Sequence, residues 1–169
     1  EQNLTIEVRD EPEPPTGLAI SGNLVQENRN PGTFVATLSA QGDPDAGELH
    51  TFSLVENPGD AFAISGNTLS TAKLLDFEAR ATYPITLRAT DRSGLFVDVP
   101  LEVRVIDLNE PPTGVDLAPR SVAENSPPNG LVGRLAPVGD PDAVDLHVYT
   151  FSSNPGDLFD IVGDALVAR

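Results

Sequence analysis

The 169-residue chain contains no cysteine, no methionine and no tryptophan. Without cysteine it has no disulfide framework, no thiolate nucleophile and no cysteine-held zinc. Positive charge is scarce too: 10 Lys and Arg stand against 26 Asp and Glu, for a formal net charge of −16. That balance excludes nucleic acid, whose phosphates call for Lys and Arg, and it excludes an anionic membrane surface. No apolar run approaches the roughly 20 residues of a membrane-spanning helix, so direct membrane insertion is not expected. Aromatics are few, two Tyr and seven Phe, which is poor for stacking on sugars. No Ser-His-Asp arrangement is visible, and catalysis is not expected. With 39% hydrophobic residues the chain is nevertheless not disordered by composition.

What is present is a repeat. Asp43-Pro44-Asp45 returns as Asp140-Pro141-Asp142, an offset of 97 residues (140 − 43). The same offset carries Glu27-Asn28 onto Glu124-Asn125 and His50 onto His147. It carries Asn57-Pro58-Gly59-Asp60 onto Asn154-Pro155-Gly156-Asp157, and Pro14-Pro15-Thr16-Gly17 onto Pro111-Pro112-Thr113-Gly114, with no gap. A unit of about 100 residues is a normal domain size, so the chain reads as part of a tandem array. Residues 11–109 form a complete repeat and 110–169 the first two-thirds of a second. Residues 1–10 read as the last strand of a preceding repeat plus its linker, since Leu4, Ile6 and Val8 map onto Leu101, Val103 and Val105. Both ends are expected to be cuts through a longer chain. The alternative, ranked second because it supplies only one of the two missing strands, is that a neighbouring chain fills the gap by adding a segment such as Leu4–Val8 to that edge.

The apolar periodicity is that of strands. Tyr83, Ile85, Leu87 and Ala89 alternate with Thr86, Arg88 and Thr90. Thr33–Ser39, His50–Leu54, Ala61–Ile64 and Thr68–Ser70 are further candidates, separated by Gly, Pro, Asn and Asp clusters. Only Ala72 to Ala81 looks helical, and it is short and poorly capped. The fold class expected is all-β: a seven-strand antiparallel Greek-key sandwich over residues 11–107, Ig-like, with chain ends at opposite poles.

Five acidic motifs stand in order: Val25-Gln26-Glu27-Asn28, Asp43-Pro44-Asp45, Leu75-Asp76-Phe77-Glu78, Ala89-Thr90-Asp91, and Asp107-Leu108-Asn109-Glu110-Pro111-Pro112. In order and spacing they resemble the cadherin repeat. The wording Asp-Pro-Asp-Ala-Gly-Glu-Leu-His-Thr-Phe-Ser-Leu, with the ending Asn-Glu-Pro-Pro-Thr, is similar to the cadherin-like repeats of large bacterial surface and secreted proteins of the adhesin type. The resemblance covers residues 11–110 and, less its final third, 111–169.

That resemblance implies Ca²⁺ at the inter-repeat junction. Carried over, Glu27, Asp76 and Glu78 would come from the upper repeat. Asp107, Asn109, Glu110 and the carbonyls of Leu108 and Pro111 would come from the linker, and Asp140 and Asp142 from the lower repeat. At the N-terminal junction Asp10, Glu13, Asp43, Asp45 and Asp91 would serve. Two departures are present: Glu110 stands where the family has Asp, and Pro12 deletes a linker Asn ligand.

Elementary electrostatics agrees with this. Two like charges about 4 Å apart repel by roughly 4 kcal/mol at an effective dielectric near 20, so gathered carboxylates call for cations. Hard oxygen donors suit Ca²⁺ better than Mg²⁺, and the absence of cysteine and of clustered histidine disfavours Zn²⁺. Asp76 and Glu78 as a glycosidase pair is the weaker reading of the same residues. His50 and His147, at equivalent positions, read as packing or surface residues, and Phe52, Phe62, Tyr149 and Phe159 as core.

The function expected is a non-enzymatic, calcium-rigidified module of an extracellular surface or adhesion protein. Its partners would be adjacent repeats and a cell-surface protein or glycan. The alternative is a carbohydrate-binding module of a secreted polysaccharide-degrading enzyme, working through an exposed aromatic face. Homophilic adhesion would need a terminal repeat with an exchangeable strand, which nothing in the sequence identifies.

Overall fold

The structure is a computed structural model describing residues 5–9, 11–45, 47, 49–142 and 144–169. It divides into two compact units, Glu1–Leu108 and Asn109–Arg169.

The first unit has eight strands in chain order: β1 (Gly17–Ile20), β2 (Leu24–Gln26), β3 (Phe34–Gln41), β4 (Thr51–Glu56), β5 (Phe62–Ser65), β6 (Thr68–Thr71), β7 (Thr82–Thr90) and β8 (Phe96–Ile106). They form two four-stranded sheets, ordered β1-β3-β6-β5 and β2-β8-β7-β4. The apolar faces close on one core that includes Val35, Leu38, Phe62, Leu69, Ile85, Leu87 and Val103, each at most 4% exposed. Burial of these side chains is the main stabilising term. Phe52 and Tyr83 pack against that core, and the ring of Tyr83 meets Phe62 edge-on at 5.5 Å.

One detail differs from the sequence expectation of seven antiparallel strands. The first strand is split: β1 pairs with β3 in one sheet, and after Ser21-Gly22-Asn23 the chain crosses to the other sheet. There β2 pairs with β8 in parallel, Leu24 opposite Arg104, so the sandwich is not wholly antiparallel. The Asn23 side-chain amide donates to the Glu102 carbonyl at 2.9 Å and pins the crossing. The segment Ala72–Ala81 contains no helix. Asp76 Oδ1 accepts the Ala79 N–H at 2.8 Å, and the Asp76 carbonyl accepts Arg80 N–H at 3.0 Å. That single turn ends where Arg80 stacks over Tyr83 and β7 begins.

The second unit repeats the first sheet. Its strands β9 (Gly114–Ala118), β10 (Leu131–Val138), β11 (Phe159–Val162) and β12 (Ala165–Ala168) are ordered β11-β12-β10-β9. Their starts lie 97 residues after those of β1, β3, β5 and β6, and a register shift between Phe34 and Ala36 returns between Leu131 and Gly133. The counterparts of β2 and β4 are not strands. In the first unit those strands pair with β8 and β7. Phe151 is 41% exposed, and Phe159 and Ile161 are half-buried.

Residues 5–9 are exposed and carry no strand pairing, with Ile6 79% and Val8 90% exposed. Leu4, the start of the expected strand, lies outside the described residues. Among the described residues no helix is long and apolar enough to cross a membrane.

Candidate metal centre

The expected carboxylates of the first unit fall at its two ends. β8 runs antiparallel to β7, with Phe96 opposite Thr90 and Arg104 opposite Thr82. Asp91 therefore leaves the sheet at one end and Asp107 at the other. Glu27 follows β2, whose Gln26 lies beside Ile106, and so belongs to the Asp107 end.

At that end Glu27 is 1% exposed. Its Oε1 accepts the Leu108 N–H at 2.8 Å and its Oε2 the Phe77 N–H at 2.7 Å. The residue before Phe77 is Asp76 and the one after is Glu78, both exposed. Glu27, Asp76 and Glu78 each offer a carboxylate oxygen, and these oxygens lie within 4.8 Å of one another. Asn28, at φ 56° in the left-handed region, donates its N–H to the Leu75 carbonyl at 3.0 Å and closes the loop against β2. Asp107 is exposed and Leu108 half-buried.

At the other end the Asp-Pro-Asp loop follows β3. Gly42 turns the chain into it at φ +66°, where an added Cβ would collide with the Thr16 hydroxyl; Gly139 repeats this at φ +62° against Thr113. Asp43 Oδ1 accepts the Asp45 N–H at 2.9 Å, and Asp45 Oδ2 accepts the Glu13 N–H at 3.2 Å. In the second unit Asp140 Oδ1 accepts the Asp142 N–H at 3.1 Å, and Asp142 Oδ2 accepts the Glu110 N–H at 2.7 Å. The loop is thus built twice with the same bonds. Asn109 and Pro111 are exposed, and the Asn109 amide donates to the Glu110 carbonyl at 3.3 Å.

Asp91 is 6% exposed; its Oδ1 accepts the Leu95 N–H at 2.9 Å. Its Oδ2 is buried with no hydrogen-bond partner among the described residues. A buried carboxylate oxygen left this way is costly unless a cation serves it. Among the described residues, Asp43, Asp45, Asp91 and Glu13 form no close three-ligand group like that of Glu27, and Asp10 lies outside the described residues.

Sequence reasoning missed the histidines. His50 contacts Asp43 and His147 contacts Asp140, and neither is a mere packing residue. The constant seven-residue spacing from Asp to His in both copies was the available signal. The His50 hydrogen bond, followed by the backbone N–H of Asp45, holds the Asp43 carboxyl below its usual value of 3.8. Asp140, Asp145 and His147 also bring ligand atoms within 4.8 Å of one another. The repeated Asn-Pro-Gly-Asp motif, by contrast, is structural. The Asn57 side chain donates to the Phe62 carbonyl at 2.9 Å and accepts its N–H at 3.2 Å, and Asn154 donates to Phe159 at 2.8 Å.

The donor set is all oxygen at the Glu27 end, and its carboxylates are close. Such a set fits Ca²⁺.

Two four-stranded sheets, a first strand split between them and acidic loops at both ends define a cadherin-like β-sandwich. Residues 24–106 match the family model of the cadherin domain. Human Cadherin-24 is 37% identical over 131 residues, a match spanning 66% of this chain and 16% of that protein. Human Protocadherin beta-1 is 35% identical over 116 residues, spanning 64% of this chain and 14% of that protein. Among solved structures, human Protocadherin-24 EC1-2 aligns with a TM-score of 0.74 at 20% identity, over 90% of this chain and 76% of that one. The Protocadherin GammaB4 extracellular domain aligns with a TM-score of 0.58 at 26% identity, over 90% of this chain and 27% of that one. Residues 24–106 are therefore a cadherin domain, the repeat module of extracellular adhesion proteins. Its location is extracellular, at the cell surface.

Proposed function

We propose that the chain is a non-enzymatic, calcium-binding spacer or adhesion module, rigidified by Ca²⁺ within a longer array. One observation carries the reading: Glu27, Asp76 and Glu78 converge their oxygens to within 4.8 Å on loops tied to the linker residue Leu108. Such a cluster repels itself, and a divalent cation turns that repulsion into attraction.

In this reading residues 11–109 are one repeat and 110–169 part of the next. Glu27, Asp76, Glu78, Asp107 and the Leu108 carbonyl are ligands on the first side. Asn109, Glu110, the Pro111 carbonyl, Asp140 and Asp142 are ligands on the second. Glu13, Asp43, Asp45 and Asp91, with Asp10, serve the preceding junction. The partners are neighbouring repeats and a cell-surface protein or glycan. The wording of the Asp-Pro-Asp-Ala-Gly-Glu-Leu-His loop supports a bacterial surface protein as host, although the relatives found are mammalian.

The test is small-angle scattering and thermal melting of a multi-repeat chain with calcium and then with chelator. Calcium is expected to raise the melting temperature, since binding at about 100 times Kd stabilises the native state by roughly 2.7 kcal/mol, and to stiffen the envelope. Unchanged scattering and melting would sink the reading.

A further inference from the structure

Both histidines of the chain make the same contact. His50 Nε2 lies 2.6 Å from Asp43 Oδ2, and His147 Nε2 lies 2.5 Å from Asp140 Oδ2. The side chains are 14% and 8% exposed in the first pair and 20% and 6% in the second, so water competes weakly for either contact. The other oxygen of each aspartate is also engaged, by the N–H of Asp45 or of Asp142. One donor on each oxygen fixes the plane of the carboxylate. Each oxygen has two acceptor directions, so one per oxygen is left over by these bonds.

Facing a carboxylate, Nε2 must carry the hydrogen, which makes the imidazole a donor. In the second unit Tyr149 stacks on the His147 ring, centroids 6.4 Å apart and planes at 25°, which restrains the ring. In the first unit His50 lines one hollow with Asp43, Asp45, Leu38 and Phe52. An apolar side chain there would offer Asp43 no donor. Packing alone therefore does not explain an imidazole aimed twice at the first aspartate of Asp-Pro-Asp. An Arg there would pair with the carboxylate as a full charge and compete with a cation, whereas imidazole supplies one directed hydrogen bond.

We infer that His50 and His147 are positioning residues, each holding the first aspartate of its Asp-Pro-Asp loop so that its remaining lone pairs face a hard divalent cation. This rests on the calcium reading above. It assigns the histidines no contact with the ion. Hydrogen-bond partners that orient metal ligands typically matter about 10- to 100-fold in affinity.

The experiment compares three forms of the whole 169-residue chain. They are the unchanged chain, the pair His50→Leu with His147→Leu, and the pair His50→Gln with His147→Gln. Calcium affinity is measured by calorimetry, with the fold checked by circular dichroism in chelator. The leucine form is expected to bind calcium about tenfold more weakly or worse, and the glutamine form, which keeps a side-chain N–H, to recover much of the loss. Equal affinity in all three forms overturns the inference and leaves the calcium reading standing, as does a glutamine form no better than leucine. No uptake by the unchanged chain overturns both. Long-range proton–nitrogen NMR in chelator reads the contact without calcium. Both rings are expected as the Nε2–H tautomer, and Nδ1–H would defeat the inference even if the leucine form failed to fold.

Discussion

The carboxylate of Glu27 accepts the backbone N–H of Leu108, 81 residues further along, at 2.8 Å. A buried residue after β2 thereby fixes the point where the chain leaves its own sandwich, and its second oxygen fixes Phe77 between Asp76 and Glu78. Glu27 thus organises the end of the unit independently of any ion. Glu27→Ala leaves two N–H groups without their acceptor, at about 1–3 kcal/mol each where buried. Urea unfolding in chelator should show a loss of that order, while Glu27→Gln, which keeps one acceptor, should lose less.

Asp91 behaves in the opposite way. Its Oδ2 is buried without a hydrogen-bond partner among the described residues, so none of them offsets its desolvation. Asp91→Asn should leave the melting temperature in chelator unchanged or higher. It should also shrink the rise that calcium produces. A clear fall in chelator would mean that the charge is satisfied within the protein.

The acid limb of stability has an identifiable contributor. Asp98 meets Arg88 through two hydrogen bonds of 2.7 Å each, and the Arg88 side chain holds the Asp98 carboxyl below its usual 3.8. A carboxyl whose folded value is depressed stabilises the fold fully above its unfolded value. That contribution is lost as pH falls through the folded value. Carbon-detected NMR titration should place the Asp98 midpoint below 3.8, and Arg88→Gln should raise it. The same substitution should uncover Phe96, over whose ring the guanidinium sits at 3.7 Å.

Two backbone and packing changes test the sandwich itself. Leu69 is 0% exposed on β6, and Leu69→Ala should cost about 2–5 kcal/mol through lost transfer energy and the cavity left behind. Gly42→Ala meets both a left-handed φ and the Thr16 hydroxyl. The conformational penalty alone is roughly 1–2 kcal/mol. Thr16→Ser, which deletes only a methyl, should not rescue it, because the colliding atom is the hydroxyl.

The repeat, the strands and the acidic loops were legible in the sequence because loop chemistry and apolar alternation recur together at one offset. Phe62, Leu69, Ile85 and Leu87 announce their burial by period alone. The split first strand was not legible, since nothing in Leu18 to Gln26 states which sheet each half joins. That choice depends on Asn23 reaching the Glu102 carbonyl, 79 residues away. The histidine contacts escaped notice because a lone imidazole on a strand flank has many uses, and only the folded loop brings it to a carboxylate.

The parallel pairing of β2 with β8 has a mechanical consequence. Tension drawn through the first unit pulls the start of β2 and the end of β8 in opposite directions. Parallel neighbours loaded in this way slide along each other, so their bonds, Leu24 to Arg104 through Gln26 to Ile106, carry the force together in shear. A hairpin pulled at its open end would part bond by bond. The crossing at Ser21-Gly22-Asn23 therefore places a force clamp directly behind β1, the strand by which the chain enters the sandwich.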